Sequence, residues 1–182
     1  MREISLLKRT PWVLHRRSEF EEIQRDVLRL ISREEIAVGG TAIIYRLNYS
    51  NGYQEIEKHL LSRYQGKSEY EALQETEFEL LSKIHHPLII RPLRFRQEEK
   101  PWGKTSTLWL EYIEGVPLSQ LDNFIEDLST DVREGWANEL FGQLSSAIRF
   151  LNFHEIIHGD LAPDNILIPR SGYLKLIDFG VA

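Results

Sequence analysis

The stretch "HGDLAPDNILIPRSGYLKLIDFG" occupies residues 158–180, and its reading decides the fold. Two short apolar runs, 165–169 ("NILIP") and 173–179 ("YLKLIDF"), have the length and branched side chains of strands. The "RSG" between them is a turn, so the pair reads as a hairpin. The polar side chains sit at its margins. Asp160 and Asn165 flank a loop stiffened by Pro163, and Asp178 closes the second run. The separations are 165 − 160 = 5 and 178 − 160 = 18. An Asp five residues before an Asn says little alone. Joined to two apolar strands and Asp178-Phe179-Gly180, it becomes specific.

Carboxylates and carboxamides are hard oxygen donors that suit a magnesium ion. Phosphoryl transfer asks a protein mainly for positioning and for neutralisation of phosphate charge. In that chemistry Asp178 and Asn165 are candidate metal ligands. Asp160 is the candidate group that accepts the hydrogen bond of an attacking hydroxyl.

Working outward, residues 18–33 read as an amphipathic helix with capping-box spacing between Ser18 and Glu21. From Glu35 the chain becomes β-rich. "EIAVGG", "TAIIYRLNY" and "YQEIEKHLL" read as a three-stranded antiparallel meander with a hairpin at Ser50-Asn51-Gly52. Glu55 and Glu57 look solvated beside Lys58. Residues 68–84 form a predicted helix, N-capped by Ser68 with Glu71 three residues on. Leu73, Glu77, Leu80, Leu81 and Ile84 share one of its faces. Two further strands, 88–97 and 105–113, flank a long polar loop, "EEKPWGK". After Gly115 helices take over, a short one at 117–128 and a longer one at 131–155, started by Asp131 and Glu134. The order predicts three segments: an N-terminal extension at 1–33, a β-rich lobe at 34–113 and a helical part at 114–182.

The assembled motifs resemble the eukaryotic-type protein kinase family, over about residues 34–182. "HGDLAPDN" looks like its catalytic loop and "DFG" like its magnesium motif. "VGGTAIIY" resembles its glycine-rich phosphate loop. Lys58 looks like the strand-three lysine and Glu77 in "ETEFELLSKIHHP" like its helix partner, at a separation of 77 − 58 = 19. The resemblance implies an α+β fold: an antiparallel β-sheet N-lobe with one main helix, and a mainly helical C-lobe cut short after the DFG motif. It implies ATP and Mg²⁺ as cofactors and transfer to a protein Ser or Thr hydroxyl. Lys58, held by Glu77, would contact the phosphates, with Gly39 and Gly40 in the loop above them. Ile44, Ile56 and Leu167 would enclose the adenine. The Glu111 carbonyl and Ile113 amide would meet its edge, and Leu110 would stand at the gatekeeper position. Leu81, His158 and Phe179 would form an internal stack. His158, His85 and His86 read as structural.

Several positions depart from the family. Ala37 and Ala42 replace two glycines of the phosphate loop, and Gly40 is extra. Ile56 replaces a small residue. Gly159 replaces an arginine that pairs with a phosphorylated activation segment. Ala162 replaces a lysine that neutralises the γ-phosphate, with no obvious substitute at Asp164. These changes keep two alternatives open: a pseudokinase-like module that binds nucleotide or a partner, and a small-molecule phosphotransferase. A C-lobe cut short also predicts an apolar face on helix 131–153 that self-association or a partner would cover.

Composition sets the outer limits. The 182 residues are 42% hydrophobic and 27% charged, as in soluble globular proteins. A net charge of −6 argues against nucleic-acid binding, which needs a basic face. The absence of cysteine removes disulfides and thiolate metal sites. The basic N-terminus lacks the apolar run of a signal peptide, and none follows Arg16-Arg17. No run of about 18 apolar residues crosses a membrane. A cytoplasmic location is expected, with delivery as a secreted effector left open.

Overall fold

The computed structural model describes residues 29–101, 103–121 and 125–180. Five strands build one antiparallel sheet: β1 (Leu30–Val38), β2 (Ala42–Tyr49), β3 (Gln54–Leu60), β4 (Pro92–Lys100) and β5 (Gly103–Glu111). Their order is β1-β2-β3-β5-β4. The predicted meander forms because Ser50-Asn51-Gly52 turns sharply: Gly52 has φ +82°, and Tyr49 N donates to Tyr53 O at 2.9 Å. The register sets Lys58 opposite Ile44 on β2 and Leu108 on β5. Helix α1 (Ser68–Lys83) joins β3 to β4. Then follow β6 (Gly115–Pro117), helix α2 (Thr130–Phe153), β7 (Ile166–Pro169) and β8 (Lys175–Leu176). Strands β6, β7 and β8 make a second, three-stranded sheet.

Four local expectations are corrected. Residues 30–33 are strand rather than the end of a helix, and 18–28 lie outside the described residues. In the extended register Arg33 pairs with Leu47, and its guanidinium reaches the Glu57 carboxylate at 2.8 and 3.0 Å. The polar loop at 98–104 is mostly ladder: Glu98 faces Thr105, Glu99 faces Lys104, and Lys100 faces Gly103. Alternating charges that look loop-like in sequence pair across strands instead. The helix expected at 117–128 begins as a 3₁₀ turn at Leu118–Gln120; Ile125 is helical, and 122–124 lie outside the described residues. Ser68 does not cap α1. Lys67 holds the N-cap position, and the Glu71 carboxylate accepts from the Gly66 amide at 3.1 Å.

One apolar core runs through both halves. Leu81 of α1, Leu108 of β5, Leu151 of α2, Leu176 of β8 and Phe179 are all within it. The halves are also stitched by backbone: Leu176 N donates to Leu88 O at 2.8 Å, and Ile90 N donates to Leu176 O at 2.9 Å. Helix α2 buries only Ala147 and Leu151 fully, while Trp136, Phe141 and Phe153 stand exposed on it. No helix among the described residues is long and apolar enough to cross a membrane.

Candidate active site

Strand alternation turns Lys58 toward α1, and the strand's edge neighbours leave it only 7% exposed. A lone buried ammonium is too costly to persist. Here Lys58 Nζ donates to Glu77 Oε2 and to Asp178 Oδ1, each at 2.7 Å. Burial pushes the Lys58 pKa down, but the two carboxylates outweigh it and hold the ammonium above its usual range. Burial pushes the Asp178 carboxyl up, and the Lys58 charge and hydrogen bond bring it below its usual value. Glu77 also accepts from the Phe179 amide at 3.2 Å. That bond fixes the Asp178-Phe179-Gly180 segment to α1. Asp178 itself adopts φ +62°, an uncommon conformation for a residue with a Cβ.

On the opposite wall Asn165 Nδ2 donates to Asp160 Oδ2 at 2.9 Å and to the Asp160 carbonyl at 3.0 Å. The carboxamide nitrogen is thus engaged within the loop, and Asn165 keeps its Oδ1 as an acceptor. That oxygen and the second Asp178 oxygen have no hydrogen-bond partner among the described residues. Hard oxygens of this kind are donors that could hold a magnesium ion. Among the described residues no cluster of three His, Asp or Glu side chains has metal-binding geometry, so such an ion would need oxygens from its ligand or from water. Ile177 N donates to Asn165 O at 3.0 Å and ties this loop to the strand before Asp178.

A cavity of about 220 Å³ gathers Gly40, Lys58, Glu77, Asp160, Asp178 and Gly180. Gly39, Ile44, Ile56, Glu111, Ile113, Asn165 and Leu167 lie outside its lining. Ile44 stands opposite Lys58 on β2, and Ile56 stands opposite Leu110 on β5. Ile56 and Ile113 pack partly buried against the core. Leu167 pairs with Pro117 and with Lys175. The Ile113 amide has no hydrogen-bond partner among the described residues. Glu111 turns its carboxylate to Lys175 at 2.8 Å and to the Arg91 amide at 3.1 Å. Leu110 is buried.

Leu81, His158 and Phe179 are buried, Leu81 and Phe179 share the core, and the His158 and Phe179 rings lie 4.4 Å apart. His158 Nε2 donates to the Ile177 carbonyl at 3.1 Å, and burial lowers its pKa.

Sequence reasoning missed Gln74, Tyr70, Leu73 and Thr41, which also line the cavity. Gln74 Nε2 donates to the Lys58 carbonyl at 3.2 Å and its Oε1 accepts from Ser106 at 2.6 Å. A signal existed: Gln74 precedes Glu77 by three residues and so shares its helix face. Leu73 was expected on the core face and instead stands exposed at the cavity.

With the fold and cleft in view, comparison with known proteins places the chain. Residues 31–182 match the family described as Protein kinase domain. The chain belongs to that family. Cyclin-dependent kinase-like 2 of Homo sapiens is 34% identical over 106 residues, covering 58% of this chain and 20% of that protein. Serine/threonine-protein kinase PKH3 of Saccharomyces cerevisiae is 26% identical over 160 residues, covering 84% of this chain and 17% of that protein. Sperm motility kinase Z of Mus musculus is 30% identical over 106 residues. The chain thus spans about a fifth of the length of these relatives.

Proposed function

We propose that the chain transfers the γ-phosphoryl group of ATP to a Ser or Thr hydroxyl of a protein. The observation that carries this reading is the Lys58–Glu77–Asp178 network facing Asp160 across one cavity. In the proposed step the hydroxyl oxygen bonds to the γ phosphorus, the bond from that phosphorus to the β–γ bridging oxygen breaks, and ADP leaves. The hydroxyl proton passes toward Asp160. Lys58 positions the α and β phosphates, and Glu77 holds Lys58. Gly39 and Gly40 bring backbone close to the phosphates. Ile44, Ile56 and Leu167 enclose the base, with Glu111 and Ile113 at its edge. Magnesium, held by Asn165 and Asp178, would supply neutralisation of phosphate charge.

A second reading is nucleotide binding with little transfer. Ala162 supplies no cation beside Asp160, and a missing transition-state charge costs about 3 kcal/mol.

The test is Mg²⁺-dependent incorporation of labelled γ-phosphate into the chain and into a generic protein substrate. Asp160→Ala and Asp178→Asn run beside it. Incorporation lost in both variants supports the proposal. A nucleotide-induced melting shift without incorporation supports the binding reading. ATP consumption only on addition of a small hydroxyl compound would point to a small-molecule enzyme.

A further inference from the structure

The phosphate-covering loop has lost two of its family's glycines, yet the structure holds it in a defined, closed turn. Gly39 N donates to Ala42 O at 2.8 Å, which closes the tip. The tip is also gripped from outside. Arg63 Nη2 donates to the Gly40 carbonyl at 3.0 Å, and Leu61 N donates to the Thr41 carbonyl at 2.9 Å. Both donors come from the short linker between β3 and α1, where a 3₁₀ turn runs over Ser62–Tyr64.

That linker is a firm platform. The Tyr64 and Tyr70 rings meet at a tilt with centres 4.2 Å apart, and the Arg63 guanidinium lies 5.0 Å from the Tyr64 ring centre. Downstream, Gly66 N donates to the Lys104 carbonyl at 2.9 Å, which pins the linker to β5. Gly66 approaches Gly103 so closely that a Cβ on Gly103 would meet the Gly66 Cα at 2.6 Å. The linker then runs straight into α1, which carries Glu77. Arg63 has no acidic partner among the described residues, so its charge stands beside the loop uncompensated, and its other N–H groups stay available.

We propose that Arg63 is a positioning residue that clamps the phosphate-covering loop shut over the cleft and couples its closure to helix α1. Glycine loops make close backbone approach possible but leave the tip free to open. A charge-assisted bond to the tip carbonyl limits that opening. The nucleotide half of this inference rests on the function proposed above.

The test uses the full chain with Arg63→Ala and Arg63→Lys. Hydrogen exchange of amides 39–42 is measured without ligand, and affinity for Mg²⁺-ADP by calorimetry. Arg63 is exposed, so the melting temperature should hold in both variants. Arg63→Ala is expected to speed exchange in the tip several-fold and to weaken Mg²⁺-ADP about fivefold, with partial recovery in Arg63→Lys. Unchanged exchange in Arg63→Ala overturns the clamp. So does faster exchange with unchanged affinity. If the wild type binds no nucleotide, the function above falls, and the exchange result alone still decides whether the clamp exists.

Discussion

At the scale of the residue, the sheet's outer face is held by charges that the sequence suggests are solvated. Glu55 is 1% exposed and Glu57 9%. Glu55 accepts from Tyr49 and from Arg94, and the Arg94 guanidinium lies 4.4 Å from the Trp109 ring centre. Glu57 accepts from Arg33, from Trp109 Nε1 at 3.2 Å, and lies 2.7 Å from His59 Nε2. Burial pushes the Glu57 carboxyl up, but the bonds from His59 and Arg33 prevail and hold its pKa at about 2. A carboxyl more acidic in the folded than in the unfolded chain stabilises the fold above its unfolded pKa of 4.5. That contribution is lost as pH falls from there toward about 2. Urea midpoints between pH 6 and pH 3 should therefore fall more steeply in the wild type than in Glu57→Gln, which lacks the titrating group. Parallel pH profiles would contradict this account of Glu57.

At the scale of the element, two glycines separate local conformation from close packing. Gly103 opens β5 at φ +122°, against Gly66 at φ +75°. Both the backbone angle and the 2.6 Å approach to Gly66 oppose a side chain there. Gly40 has no heavy atom within 4 Å of an added Cβ and no positive φ. Gly103→Ala should lower unfolding free energy by about 2 kcal/mol or more. Gly40→Ala should stay within about 0.5 kcal/mol. Chemical denaturation of both variants checks the contrast. The helix shows a related division. Hydrophobic periodicity located α1, yet three of its four buried residues are Glu71, Gln74 and Glu77. Its inward face is polar because it meets Lys58 and the linker, and the sequence period carries no record of those partners.

At the scale of the whole molecule, the core is shared rather than divided between lobes. Phe179 is 1% exposed and contacts His158, while its amide bonds to Glu77 of the N-terminal half. Removing its ring opens a cavity at the junction of both halves. Phe179→Ala should cost about 3–5 kcal/mol. Its unfolding, followed by far-UV circular dichroism and by tryptophan fluorescence, should shift as one transition. Separate transitions by the two probes would show that the halves fold independently. Trp136, Phe141 and Phe153 are exposed on α2 but are spread around the helix, whereas Leu144, Ile148 and Leu151 of the face expected from sequence turn toward the core or are partly covered.

The sequence by itself determined helix α1, the antiparallel meander, the hairpin of β7 and β8, and the side chains Lys58, Glu77, Asp160 and Asp178 that meet in the cavity. Those features reside in local periods, turn residues and fixed spacings, such as the 19 residues from Lys58 to Glu77. Tertiary structure decided what depends on partners distant in the chain. It buried Glu55 and Glu57 under arginines two strands away in the sheet, extended β4 and β5 through a charged stretch, drew residues 30–33 into a strand, and brought Gln74 to the cavity and Arg63 to the Gly40 carbonyl. The reason is physical: a charged or amide side chain is neutral evidence in sequence. Whether it is solvated, paired or gripping a loop is fixed only when the sheet register sets its neighbour beside it.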